Sequence, residues 1–105
     1  MKNKIASVLL EMGIPADMKG FDYIVQYMML LSDKSWKNCD VTTLYYKIAK
    51  DNDTNPNSVE RCIRYAFNYV LRNGNQDVVN KYLTHTRTNN ANLLKTFYWR
   101  MFAED

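Results

Sequence analysis

Residues 41–72 read VTTLYYKIAKDNDTNPNSVERCIRYAFNYVLR, and this stretch decides the fold. Asp40 precedes it as an N-cap, and apolar residues at helical spacing predict a short helix that ends near Asp51. The turn residues that follow lead to Asn55, a second N-cap, and to Pro56 at the first helical position, where its missing N–H costs little. A longer helix then runs to the end of the stretch. A short helix, a tight turn and a longer helix together predict a helix-turn-helix.

The second helix of this pair, over about residues 56–72, has one apolar face and one polar face. At about 100° per residue, one sector collects a core stripe: Val59, Cys62, Ile63, Ala66 and Val70. The opposite side carries Asn57, Arg61, Arg64, Asn68 and Arg72. Arginine and asparagine pair bidentately with guanine and adenine edges, so this face is typical of a recognition helix in the major groove of DNA. Arginines that only solubilise an exposed face would give the same pattern, and Arg72 also complements the helix dipole.

The distribution of charge favours the DNA-binding interpretation. The formal net charge is +3 in 105 residues, and residues 1–55 contribute nothing to it because seven lysines balance seven acids. Residues 56–100 carry seven basic and two acidic residues, for +5, and residues 101–105 contribute −2. Because attraction to phosphate depends on local basic charge, the half of the chain with the recognition helix is the half predicted to bind DNA.

The remainder of the chain predicts further helices and no strand. Only three glycines and two prolines interrupt the sequence, which favours long elements joined by short turns. Apolar spacing predicts helices over about residues 3–12 and 21–31, a short fifth helix around residues 78–83 and a sixth through residues 93–102. We expect Gly74 to end the fourth helix in the left-handed conformation. The prediction is an all-α fold, a compact bundle of about six helices that forms a single domain over residues 1–105.

Several functions are disfavoured by what the sequence contains. The longest apolar run, residues 27–31, is far too short to span a bilayer, and the N-terminus lacks the apolar segment of a signal peptide. One histidine, His85, and two cysteines form no spacing typical of a metal site, and no nucleophile or carboxylate pair accompanies the histidine. We therefore expect a cytoplasmic protein with no membrane contact, no metal, no cofactor and no enzyme activity.

Two segments resemble a known family. Residues 10–20 read LEMGIPADMKG and continue as FDY, while residues 59–66 read VERCIRYA and are followed at the matching distance by RNGN at residues 72–75. Both are similar to the C-terminal effector domain of the stage-zero sporulation response regulator family, over about residues 4–103. The resemblance implies a six-helix bacterial domain whose third and fourth helices form the helix-turn-helix. It also implies a sequence-specific regulator of transcription that binds double-stranded DNA.

The resemblance assigns base contacts to three positions of the fourth helix. Arg61 and Arg64 would bind guanine O6 and N7, and Glu60 would accept a hydrogen bond from cytosine N4. Tyr65 stands where the family usually has histidine, and we expect it to contact bases as a neutral hydrogen-bonding group. We expect further DNA contacts from three polar residues of the same helix: Asn57, Ser58 and Asn68.

The resemblance also implies partners. Family members often bind tandem boxes as head-to-tail pairs, so a homodimer on tandem sites is expected, and they touch the RNA polymerase sigma factor through the segment that corresponds to Gly74 to Arg87. The aromatic residues of the sixth helix are expected to pack against the bundle, or to form a dimer surface if they are not covered: Phe97, Tyr98, Trp99 and Phe102.

Besides Tyr65, the sequence departs from the family pattern at Pro56 and Asn57, which alter the start of the fourth helix, and in two further features. Asn52 occupies a turn position where the family places an apolar residue. No receiver domain precedes the effector domain in this sequence, so we expect a stand-alone relative or an excised domain that binds constitutively or depends on another partner. An alternative function is a protein-interaction module that modulates a related regulator or sigma factor without binding DNA.

Overall fold

The computed structural model describes residues 1–102, and the acidic end of the chain at Glu104 and Asp105 lies outside the described residues. Within residues 1–102 the backbone forms six α-helices and no β-strand, which confirms the predicted all-α bundle. The helices are α1 (Lys2–Met12), α2 (Lys19–Leu31), α3 (Val41–Asp51), α4 (Pro56–Asn73), α5 (Gln76–Tyr82) and α6 (Asn90–Phe102).

The centre of the bundle is the crossing of α2 and α4. At Gly20, a Cβ atom would overlap the carbonyl oxygen of Cys62 and would lie 2.8 Å from the Cβ of Ala66. Only a residue without a side chain permits so close an approach of two helices. The start of α2 is therefore held directly against the middle of α4.

The two helices over residues 41–72 begin where the sequence predicts. A carboxylate oxygen of Asp40 accepts a hydrogen bond from the backbone N–H of Thr43 at 2.8 Å, and Asn55 Oδ1 accepts one from the N–H of Ser58 at 2.9 Å. Each bond satisfies an N–H that has no partner within its own helix. Both N-cap predictions are confirmed, and α4 leaves the turn in a direction determined by its cap and by Pro56.

The turn between α3 and α4 is tied to α2 by side-chain hydrogen bonds. Asn52 Nδ2 donates to Gln26 Oε1 and to the carbonyl oxygen of Ile48, each at 2.7 Å, and Gln26 Nε2 donates back to Asn52 Oδ1 at 3.3 Å. The next residue, Asp53, has a φ of 55°, a left-handed conformation that aspartate tolerates. Asn52, where the family places an apolar residue, thus fastens the turn by hydrogen bonds while remaining exposed.

The end of α4 differs from the prediction. Gly74 has φ −77° and ψ 176°, which is extended and not left-handed, so the expected left-handed cap is wrong. The chain passes at once into α5, and the N–H of Asn75 donates to the carbonyl oxygen of Met12 at 2.9 Å. Glycine is required there for space, because a Cβ would lie only 2.6 Å from that same carbonyl oxygen.

The core face of α4 is largely as predicted. Val59, Ile63, Ala66 and Val70 are fully buried, whereas Cys62 at the edge of the stripe is only half-buried. Phe67, which the predicted stripe omits, is also fully buried. The apolar sector is therefore rotated toward Phe67, and Cys62 faces a surface cleft.

The last helix covers the bundle with one face. Leu93, Leu94 and Phe97 are fully buried, while Tyr98 and Phe102 are partly buried. The expected packing of the aromatic residues against the bundle is thus confirmed for these three rings. It is wrong for Trp99, which is 58% exposed.

Candidate nucleic-acid interface

The polar face of α4, which we define as Asn57, Arg61, Arg64, Tyr65 and Asn68, lies in solvent. All five residues are exposed, and the ring of Tyr65 is 64% exposed. They share a face because about 100° of rotation per residue places them opposite the fully buried stripe. The structure thus brings together five of the seven residues that the sequence nominated for DNA contact.

The two remaining nominated residues lie at the margins of this face. Glu60 is half-buried on one side. Ser58 is half-buried on the other side, in the first turn, where its N–H is bound by the Asn55 cap. Three arginines against one glutamate give α4 a net charge of +2 over Pro56–Asn73. The helix therefore offers an exposed, positively charged surface flanked by a single acid.

Glu60 and Arg64 form an ion pair one helical turn apart. Arg64 Nη1 donates to both carboxylate oxygens of Glu60, at 3.0 and 2.9 Å. The two side chains are 34% and 52% exposed, and exposed helical pairs at this spacing contribute only about 0.3–0.5 kcal/mol. The pair orients the Arg64 side chain, and breaking it costs little free energy when the guanidinium binds another group.

Asn90, at the start of α6, supports the Glu60 side of the face and was missed by the sequence analysis. Its Nδ2 donates to the backbone carbonyl oxygen of Glu60 at 2.9 Å and to the hydroxyl oxygen of Tyr45 at 3.3 Å. The residue is 7% exposed, and its Oδ1 has no hydrogen-bond partner among the described residues. One buried amide therefore joins α3, α4 and α6 beside the residues nominated for base contact.

Tyr45 takes part in this contact as a neutral group. Burial raises the pKa of its hydroxyl, and the nearby Glu60 carboxylate adds to the rise, while the hydrogen bond from Asn90 opposes it. The phenol therefore stays protonated at neutral pH and can act as both donor and acceptor. No sequence signal marks the pair, because Tyr45 and Asn90 are 45 residues apart.

On the side away from Glu60, the polar face of α4 borders a cleft of about 280 Å³. Its lining comes from the start of α2 and the middle of α4: Met18, Lys19, Gly20, Arg61, Cys62 and Tyr65. Lys19 was also missed by the sequence analysis, since it belongs to the half of the chain with no net charge. The close approach of α2 to α4 at Gly20 brings Lys19 to the edge of the polar face of α4.

A second cleft of about 360 Å³ continues the polar face toward the end of α4. It is lined by Tyr65, Asn68, Tyr69, Arg72 and Asn73. Hydroxyl, amide and guanidinium groups of this kind are the usual donors to phosphate oxygens. The exposed polar surface therefore extends along most of α4.

Other kinds of site have less support in the described part of the chain. Residues 1–102 contain no cluster of three His, Cys, Asp or Glu side chains that could hold a metal ion, and no helix among them is long and apolar enough to cross a membrane. His85 contacts Asn80 Oδ1 at 3.1 Å in an exposed loop. The strongest candidate site is the polar face of α4.

The comparison with protein families also indicates a DNA-binding domain. The family model described as the C-terminal part of sporulation initiation factor Spo0A matches residues 5–101, nearly the whole chain. That family consists of DNA-binding effector domains of sporulation regulators, with a helix-turn-helix, and is not a family of enzymes. The chain therefore belongs to the Spo0A C-terminal family of DNA-binding domains.

Proposed function

We propose that this protein is a sequence-specific transcription regulator that inserts α4 into the major groove of double-stranded DNA. The observation that carries the proposal is the contrast on α4, where a fully buried stripe stands opposite an exposed face with Arg61 and Arg64 in its first half. In helix-turn-helix proteins it is the N-terminal part of the second helix that reaches base edges. The family match supports the same activity.

Arg61 and Arg64 are the guanine-reading residues in this proposal. A bidentate arginine–guanine pair contributes about 1–3 kcal/mol of discrimination, several times more than an exposed ion pair at helical spacing. Arg64 therefore gains by turning Nη1 from Glu60 to guanine, and the released carboxylate is then free to accept from cytosine N4. Arg61 makes no hydrogen bond within the described structure and needs no such exchange.

The remaining residues of the face have supporting roles. Tyr65, at one margin, contacts a base or its sugar through its hydroxyl. Asn57, Ser58 and Asn68 make the other DNA contacts, Ser58 from the first turn, where backbone N–H groups favour phosphate. Together these contacts orient α4 in the groove while the arginines read the sequence.

A salt-dependent titration tests the proposal. Fluorescence anisotropy is measured with one duplex that the wild-type protein selects from a random pool and with a scrambled duplex of equal length. We expect the selected duplex to bind more tightly by roughly 10³-fold or more, and both affinities to fall linearly on a log–log plot between about 50 and 200 mM salt. Equal affinity for the two duplexes contradicts sequence-specific recognition.

Protein partners form a second candidate function. One observation favours it: Trp99 is 58% exposed and borders a groove of about 610 Å³ between α6 and the loop before α3. The partners expected from the family resemblance are a second copy on tandem sites and a sigma factor at Gly74 to Arg87, where the exposed residues are mostly polar. A protein that binds no duplex at low salt but forms a stable complex with a regulator or sigma factor would support a protein-interaction module instead.

A further inference from the structure

We infer that the cleft between the start of α2 and the polar face of α4 binds a phosphate of the DNA backbone, with Lys19 as its cationic residue. The inference rests on the proposed function, because it assumes that α4 enters the major groove. It adds a contact from the N-terminal half of the chain, which no motif of the sequence marks for DNA binding.

The position of Lys19 is determined by its neighbour. Gly20 packs against the carbonyl oxygen of Cys62 so closely that no Cβ fits between them. The residue before it therefore cannot move away from α4 without breaking the central helix crossing. Lys19 lines the same cleft as Arg61 and Tyr65, so the backbone from which its side chain extends is held at the edge of the polar face of α4.

The ammonium group of Lys19 is available for a ligand. The residue is exposed and forms no ion pair among the described residues. Asp17 and Asp22 are near it along the chain, but neither carboxylate lines the cleft. Lys19 thus places a free positive charge in the cleft, next to the Arg61 that reads guanine in the proposed function. Lysine ammonium groups are usual donors to phosphate oxygens.

The shape of DNA explains why a phosphate would occupy this place. The major groove is about 12 Å wide, and an α-helix with its side chains measures about 10–12 Å across. A helix in the groove therefore fills it from wall to wall, and an element packed against the flank of that helix lies over the sugar–phosphate backbone. The start of α2 is such an element for α4.

The test compares charge-matched variants of the full chain. Lys19→Gln removes the charge, Lys19→Arg keeps it, and Lys2→Gln is the control, because Lys2 is an exposed lysine at the first position of α1 and does not line the cleft. Titrations with the selected and scrambled duplexes are repeated over the salt range, and circular dichroism melting confirms that each variant is folded. We expect Lys19→Gln to weaken both duplexes by the same factor and to lower the salt slope by about 0.9, the value for one phosphate contact.

Each outcome has a separate meaning. A wild-type salt slope in both Lys19→Arg and Lys2→Gln, together with the lower slope in Lys19→Gln, supports the phosphate site. A wild-type slope in Lys19→Gln, or a loss limited to the selected duplex, overturns the Lys19 site while leaving the proposed function intact. A wild-type protein that binds no duplex overturns both.

Discussion

The two faces of α4 differ in what constrains them. On the buried face, Val59, Ile63, Ala66, Phe67 and Val70 have no exposed surface and are surrounded by the other helices. On the polar face, Arg61 and Tyr65 extend into solvent, and Arg64 donates hydrogen bonds only to Glu60 of its own helix among the described residues. The structure of the protein accounts for the first set of residues, whereas the role that we propose for the second set requires a partner outside the protein.

The difference separates stability from binding. Protein interiors are close-packed, so a change of volume on the buried face is transmitted to the whole fold. A change on an exposed face usually alters stability by about 0.5 kcal/mol or less. Substitutions on the buried face should therefore lower stability, and those on the polar face should lower binding. Four experiments test this division.

The largest effect is expected from Phe67→Ala on the buried face. Removing a fully buried phenyl ring from a close-packed core destabilises a protein by about 3–5 kcal/mol, against a total stability of about 5–15 kcal/mol. Urea unfolding followed by circular dichroism measures the change. The neighbouring Asn68→Ala is the matched control, and it should stay within about 0.5 kcal/mol of wild type. Similar losses in both variants would mean that the two faces are not distinct.

Arg61→Ala and Arg64→Ala test the polar face. Each should lower discrimination between the selected and scrambled duplexes by about 1–3 kcal/mol, because each removes a guanine contact. Stability in urea should stay within about 0.5 kcal/mol of wild type, since both side chains are exposed and the Glu60–Arg64 pair contributes no more than that. Lys2→Ala, which removes the same charge from an exposed position in α1, should change neither quantity. Unchanged discrimination in both arginine variants would contradict the role assigned to this face.

Asn90 tests the boundary between the two faces, because it is buried but supports a residue of the binding surface. Asn90→Ala should cost about 1–3 kcal/mol of stability, since it removes the buried donor to the Tyr45 hydroxyl. It also removes a second hydrogen bond to the Glu60 carbonyl oxygen, which still accepts one within α4. A double-mutant cycle with Tyr45→Phe measures the coupling, expected to be at least about 0.5 kcal/mol. Strict additivity of the two substitutions would show that the contact contributes nothing to stability.

The smallest effect is expected at the helix cap of α3 and depends on pH. The N–H of Thr43 holds the pKa of the Asp40 carboxyl below its usual range. A depressed pKa stabilises the fold above the pKa of the unfolded chain, and this contribution is lost as pH falls through the folded value. The difference in melting temperature between wild type and Asp40→Ala should therefore shrink from pH 7 to about pH 2.

The α4 cap provides the matched control for this pH dependence. Asn55 caps α4 in the same way but does not titrate. Asn55→Ala should lower stability by about 1 kcal/mol at either pH. If the stability lost in Asn55→Ala depended on pH as strongly as the stability lost in Asp40→Ala, the Asp40 carboxylate would not be the cause of the pH dependence.

Much of the fold was predictable because local rules decide it. Asp40, Asn55 and Pro56 define the starts of α3 and α4 by chemistry that involves only nearby backbone groups. The polar face of α4 was equally accessible, since the helical repeat alone separates Arg61 and Arg64 from the buried stripe. The Gly74 prediction was wrong because the space around that residue depends on Met12, 62 positions earlier in the chain.

The sequence by itself determined the number and order of the helices, the two caps and most of the residues on each side of α4. Periodicity and capping act over a few residues, so the chain contains that information locally. Only the tertiary structure placed Lys19 beside Arg61, tied Asn90 to the backbone of Glu60 and left Trp99 in solvent. The two contacts join residues far apart in the chain, and the exposure of Trp99 depends on which helices cover α6. All three follow from the single arrangement in which the six helices bury their apolar faces.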